Sequence, residues 1–114
     1  MPAQLLTIEV TRLGAGGARL RLTGELDFDT SPDLVHTADE LRREGRHHLE
    51  IDLGGVGLCD SSGLSALLVI HHRGSAPVRL VGMSGQVRQL LDRTGLTEVL
   101  TVAEAATSTD TATG

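Results

Sequence analysis

Lysine is missing from this chain, and aromatic residues nearly so. All ten cations are arginine, and Phe28 is the one aromatic side chain, with no Trp or Tyr. Without lysine there is no Walker-type phosphate loop and no Schiff-base chemistry. Fifteen acidic residues against ten arginines give a net charge of −5. That balance, with a single ring, lacks the basic face and stacking platform by which proteins hold nucleic acid. Cysteine occurs once, as Cys59. No internal disulfide can form, and a reducing compartment is the simpler setting. No apolar run is long enough to span a membrane, and no insertion is expected. The start, Met1-Pro2-Ala3-Gln4, has no basic stretch followed by an apolar segment. A secretory signal is therefore not expected, and the expected location is cytoplasmic.

What is present reads as one domain over residues 1–102, followed by a flexible tail over 103–114 rich in Ala and Thr. Leu6, Ile8 and Val10 alternate with Thr7, Glu9 and Thr11, the pattern of a half-buried strand. Gly14 to Gly17 supply a turn, and Ala18, Leu20 and Leu22 alternate with arginines and Thr23, which predicts an antiparallel hairpin. Gly24 to Thr30 reads as a connector. Ser31 is then placed as a helix N-cap, with Pro32 at the first helical position and Asp33 at the positive end of the helix dipole. Leu34, Ala38 and Leu41 carry that helix to Gly45. Leu49, Ile51 and Leu53 predict a third strand, and Gly54 to Gly57 a flexible link. A helix from about Ser62 to Arg73 follows. Val78 and Leu80 mark a fourth strand, Ser84 caps a third helix ending near Gly95, and Val99 to Val102 form a short last strand.

Strand–helix–strand order implies parallel pairing, whereas the opening hairpin is antiparallel. The expected architecture is an α/β domain with a mixed four- to five-stranded sheet. About three main helices pack largely on one face, and the other face is partly exposed.

Asp60-Ser61-Ser62-Gly63-Leu64 sits where a strand pattern gives way to a helix pattern. A helix N-terminus offers unpaired amides and partial positive charge, which suit an anion. A phosphoserine adds about −1.5 to −2 charge and three acceptor oxygens. The fold can hold it there, while a docked partner would meet a bulky dianion beside Asp60. Taken alone, the pentapeptide is explained more simply by a cap at Asp60 or Ser61 and by close packing at Gly63. Catalytic readings are weaker. Gly82-Met83-Ser84-Gly85-Gln86 breaks the nucleophile-elbow pattern at Gln86. No pair among His36, His47, His48, His71 and His72 has the i, i+4 spacing of a metal site. Cys59 is expected as a small buried apolar residue. Glu25, Asp27 and Asp29 read as a solvated loop edge, with a carboxylate pair or metal cluster as the sharper alternative. No enzyme activity, metal or cofactor is expected.

Three blocks in order carry a family resemblance. They are Leu22-Thr23-Gly24-Glu25-Leu26-Asp27 with Thr30 following, Asp60-Ser61-Ser62-Gly63-Leu64, and Ser84 through Leu96. Together they resemble the STAS domain, specifically the small bacterial anti-sigma factor antagonists. The resemblance implies that Ser61 is a phosphoacceptor and that Asp27, Asp60, Ser62 and Gly63 belong to a partner-binding surface. It implies an anti-sigma factor kinase as partner, bound by the unmodified form so that a sigma factor is freed. Phosphorylation would eject the antagonist, and a metal-dependent Ser/Thr phosphatase would restore it. Ser65, where the family often has a second glycine, adds a third hydroxyl. The alternative is a STAS subunit of a membrane lipid-transport complex, docked on its ATPase without phosphorylation. A monomer is expected.

Overall fold

The structure, a computed structural model, describes residues 6–95 together with the backbone of residues 101 and 102. The chain runs β1 (Thr7–Leu13), β2 (Gly17–Leu26), α1 (Ser31–Arg43), β3 (His48–Cys59), α2 (Ser61–Arg73), β4 (Arg79–Val81), α3 (Gly85–Thr94) and β5 (Thr101–Val102). The five strands lie in the order β1-β2-β3-β4-β5. β1 and β2 are antiparallel, and β2–β3, β3–β4 and β4–β5 are parallel. Each parallel step needs a return crossover, which a helix supplies. Both α1 and α2 therefore begin at the end of the molecule where β2 and β3 finish.

Alternation along the strands sorts their side chains. Leu20, Leu22, Ile51, Leu53 and Leu80 join Leu34, Ala38 and Leu41 of α1, Leu64, Leu67 and Ile70 of α2, and Val87 and Leu91 of α3 in one buried cluster. All three helices thus cover the same sheet face. The opposite face carries Glu9, Arg21 and Asp52 in one cross-strand row and Thr11, Arg19, Glu50 and Arg79 in the next. Those rows alternate in charge, and Arg19 Nε donates to Glu50 Oε2 at 2.6 Å. A face that pairs its own charges can stay in water.

Several boundaries differ from the sequence reading. Gly24, Glu25 and Leu26 are strand, so the connector is shorter than expected. Gly54 to Gly57 are also strand and not a flexible link. The reason is the parallel partner: register shifts at Arg21/Thr23 and Gly24/Glu25 let β2 and β3 stay paired through the glycines. A Cβ on Gly55 would come within 2.7 Å of the Leu22 carbonyl oxygen, so glycine is what permits this approach. α1 starts one residue early. Thr30 is its N-cap, while the hydroxyl of Ser31 donates to the Asp27 carbonyl at 2.5 Å. α2 likewise begins at Ser61, with Asp60 as cap. The start of the last predicted strand at Val99 and the tail over 103–114 lie outside the described residues.

Candidate functional site

β2 and β3 finish side by side, with Leu26 paired to Cys59. The next backbone amide, that of Asp60, donates to the Leu26 carbonyl at 3.2 Å and turns the chain toward α2. Asp60 is extended (φ −105°, ψ −173°), and its Oδ1 accepts from the Gly63 amide at 3.0 Å. The Leu64 amide donates to the Asp60 carbonyl at 3.1 Å. Helix geometry leaves the amides of Ser61 and Ser62 pointing out of the helix end. Ser61 is the first helical residue and its side chain is exposed; Ser62 is half-buried and Ser65 exposed. The site therefore presents a hydroxyl, two outward amides and a fixed carboxylate on one small surface.

Gly63 allows α2 to start so close to the sheet. It is buried, and a Cβ there would lie 2.6 Å from the Leu26 carbonyl oxygen and 2.9 Å from Cys59 Sγ. The Cys59 thiol is partly buried under this contact. Burial, and then the charge of Asp60, push its pKa up to about 11, so the thiol stays protonated at neutral pH.

Asp27 follows Leu26 and so stands at the neighbouring strand end. Its Oδ1 accepts from the amides of Asp29 (3.0 Å) and Thr30 (3.1 Å) and lies 3.2 Å from the Thr30 hydroxyl oxygen. Thr30 Oγ1 accepts from the Asp27 amide at 2.9 Å and donates to the Glu25 carbonyl at 2.8 Å. Asp27 thus orders the β2–α1 loop, a use of the carboxylate that the sequence reading did not foresee. Of the other acids there, Asp29 is exposed and Glu25 half-buried. The expected cap Ser84 does cap α3, its Oγ accepting from the Val87 amide at 3.3 Å. Among the described residues no three His, Cys, Asp or Glu side chains group closely enough to hold a metal ion. Nor, among these residues, is any helix long and apolar enough to cross a membrane.

Two depressions flank the start of α2. A groove of about 530 Å³ between α1 and α2 is lined by Phe28, Val35, Ser62, Ser65, Val69 and others. A cleft of about 310 Å³ between the end of β3 and α3 is lined by Leu58, Cys59, Val87, Leu90 and Arg93 among others. Sequence reasoning missed Phe28, which is 76% exposed, and Leu58, which is 53% exposed. The available signal was position: Phe28 lies among acids beyond the last alternating strand residues, and Leu58 lies past the glycines, where alternation lapses.

Fold and site define a small mixed-sheet α/β domain with an exposed hydroxyl on a capped helix N-terminus. A family model described as Mlab, STAS domain matches residues 10–102. The chain belongs to the STAS domain family. An anti-sigma-B factor antagonist of Staphylococcus epidermidis is 31% identical over 88 residues, which cover 75% of this chain and 82% of the relative. The crystal structure of an anti-sigma factor antagonist from Mycobacterium paratuberculosis superposes with a TM-score of 0.77 at 23% identity, covering 85% of this chain and 84% of that one. The Bacillus cell-fate determinant SpoIIAA in its phosphorylated form gives a TM-score of 0.65 at 18% identity, covering 88% and 94%. These two structural matches bear on the fold.

Proposed function

We propose that this chain is an anti-sigma factor antagonist switched by phosphorylation of Ser61. The observation that carries the reading is the exposed Ser61 at the first position of α2, beside the capping Asp60, in a STAS-family chain with an anti-sigma-B factor antagonist among its relatives. The unmodified face docks on an anti-sigma factor that is also a Ser/Thr kinase, and the sigma factor is freed. Phosphate transferred to Ser61 Oγ takes hydrogen bonds from the outward amides of Ser61 and Ser62 and is favoured by the helix dipole. The fold then holds the phosphoserine without rearranging. A partner seated there would have to desolvate a dianion next to Asp60, so it leaves. A metal-dependent Ser/Thr phosphatase resets the switch. Asp60 and Ser62 lie at the docking face, Asp27 shapes its loop, and Gly63 sets the height of α2 from beneath.

Purified protein incubated with ATP, Mg²⁺ and the kinase-type anti-sigma factor of its own genome tests this. One phosphate should appear on Ser61, and none on the Ser61→Ala variant. Ser61→Asp should weaken binding at least about tenfold, a loss of about 1.4 kcal/mol, with an unchanged melting temperature. No phosphate on Ser61, or equal binding by Ser61→Asp, overturns the switch. The second reading, a subunit docked on the ATPase of a membrane lipid-transport complex, is kept because the matching family model is described as Mlab and not as an antagonist. Tight binding to such an ATPase with Ser61 unmodified would favour it.

A further inference from the structure

Four large apolar side chains are exposed among the described residues: Leu13, Phe28, Leu58 and Val69. Leu58 and Phe28 stand at and just beyond the paired ends of β3 and β2, and Val69 lies on α2 itself. Phe28 and Val69 line the α1–α2 groove with Ser62 and Ser65, and Leu58 lines the cleft on the α3 side. Leu13 lies at the far end, beside the β1–β2 turn. Exposed apolar side chains that gather on one surface mark an interaction site, whereas scattered ones do not.

The charges nearest these anchors along the chain are acidic. In the segment from Gly24 to Val35 every charged residue is acidic: Glu25, Asp27, Asp29 and Asp33. Between Leu53 and Ile70 the only charged residue is Asp60. Asp29 and Asp33 are exposed, and Asp27 and Asp60 are fixed by the hydrogen bonds their carboxylates accept from backbone amides. Arg93 lines the Leu58 cleft, and Arg73, which pairs with Asp39, lines the Phe28 groove.

We propose that Phe28 and Leu58 are the two apolar anchors of the partner-docking surface. The partner they fit is a protein with an apolar patch rimmed by arginine or lysine, which meets Asp29 and Asp33. The inference rests on the reading of Ser61 as the switch, and adds where the binding energy comes from and what chemistry the partner presents. It also accounts for ejection by a dianion despite a basic partner. Ser61 opens α2 at the same end of the sheet as the two anchors, so in this docking it meets the apolar part of the contact, and the basic groups sit at the rim. Large aromatic and aliphatic anchors at the centre of an interface carry most of its energy, and rim charges mainly steer association.

The test uses the full chain in its native host, with photoreactive benzoylphenylalanine in place of Phe28, Leu58 or, as control, Leu13. Expected are adducts at positions 28 and 58 with one and the same protein and none at position 13. The cross-linked partner peptide should be rich in arginine or lysine. With that partner purified, Phe28→Ala and Leu58→Ala should each weaken binding at least about tenfold, and Asp29→Asn should slow association at low salt. No adduct, an adduct at one anchor only, equal labelling at Leu13, an acidic partner peptide, or affinity within twofold of the parent overturns the proposal. Ser61→Asp separates the two readings. If adducts persist in that variant, the surface stands and the switch falls.

Discussion

At the scale of single residues the site is built from groups that each do structural work. Asp60 fixes α2 through Gly63, and Gly63 fixes the distance between α2 and the strand ends. The clash a Cβ would make is with the Leu26 carbonyl, a backbone atom that cannot swing aside. Gly63→Ala should therefore destabilise the protein by about 1–3 kcal/mol, the usual cost of overpacking. Urea unfolding followed by circular dichroism checks it, and a loss under about 0.5 kcal/mol would mean that α2 can move outward. The motif's cap and its glycine were legible from residue type and order. The exposure of Phe28 was not, because an apolar residue in a loop can turn inward or outward with equal local cost. Cys59, read as a small buried apolar residue, is partly buried and poorly reactive. The cause lies in the fold, since burial beside Asp60 keeps the thiol protonated.

At the scale of elements, the loop between β2 and α1 shows how a functional surface is held rigid. One carboxylate oxygen of Asp27 takes hydrogen bonds from two backbone amides, and the Thr30 hydroxyl closes the same loop from the other side. Asp27→Ala should cost about 1–2 kcal/mol, in line with the loss of a helix cap. Asp27→Asn keeps the accepting oxygen and should cost much less. If Asp27→Asn also leaves partner binding unchanged, the charge of Asp27 is not read by the partner. If binding falls while the melting temperature holds, it is. The helices themselves were visible in apolar spacing and caps, as Ser84 before α3 and Gly95 after it illustrate; Gly95 takes the left-handed conformation (φ 77°) that favours glycine at a helix end. The strand through Gly54 to Gly57 was not visible. Its glycines have no alternation to read, and their strand conformation exists only because β2 lies close beside them.

Across the whole molecule, charge is polarised. Acids gather where α1 and α2 begin. Arg42 and Arg43 end α1, and His71, His72 and Arg73 end α2 at the opposite pole. There Arg12 on β1 meets Glu44 after α1 through two hydrogen bonds, 2.9 and 2.8 Å long. The Arg12 hydrogen bond holds the Glu44 carboxyl below its ordinary pKa. A carboxyl depressed on folding stabilises the native state above its unfolded pKa, and that contribution is lost as pH falls through its folded value. The pair is exposed, so the effect is small and screened. Melting curves of Glu44→Gln and the parent should differ slightly at pH 7, converge below the carboxylate range, and converge again in 1 M salt; a gap unchanged in acid would show that the pair does not contribute. By itself the sequence determined the element order, the mixed sheet, the apolar faces and the acid-first, base-last dressing of α1, because these follow from local periodicity and the helix dipole. Only the tertiary structure decided that α1 and α2 start at the same end of the sheet, so that Asp33 and the capping Asp60 share that end with the exposed Phe28 and Leu58. That outcome depends on the register between β2 and β3, with its two shifts, which no local pattern encodes.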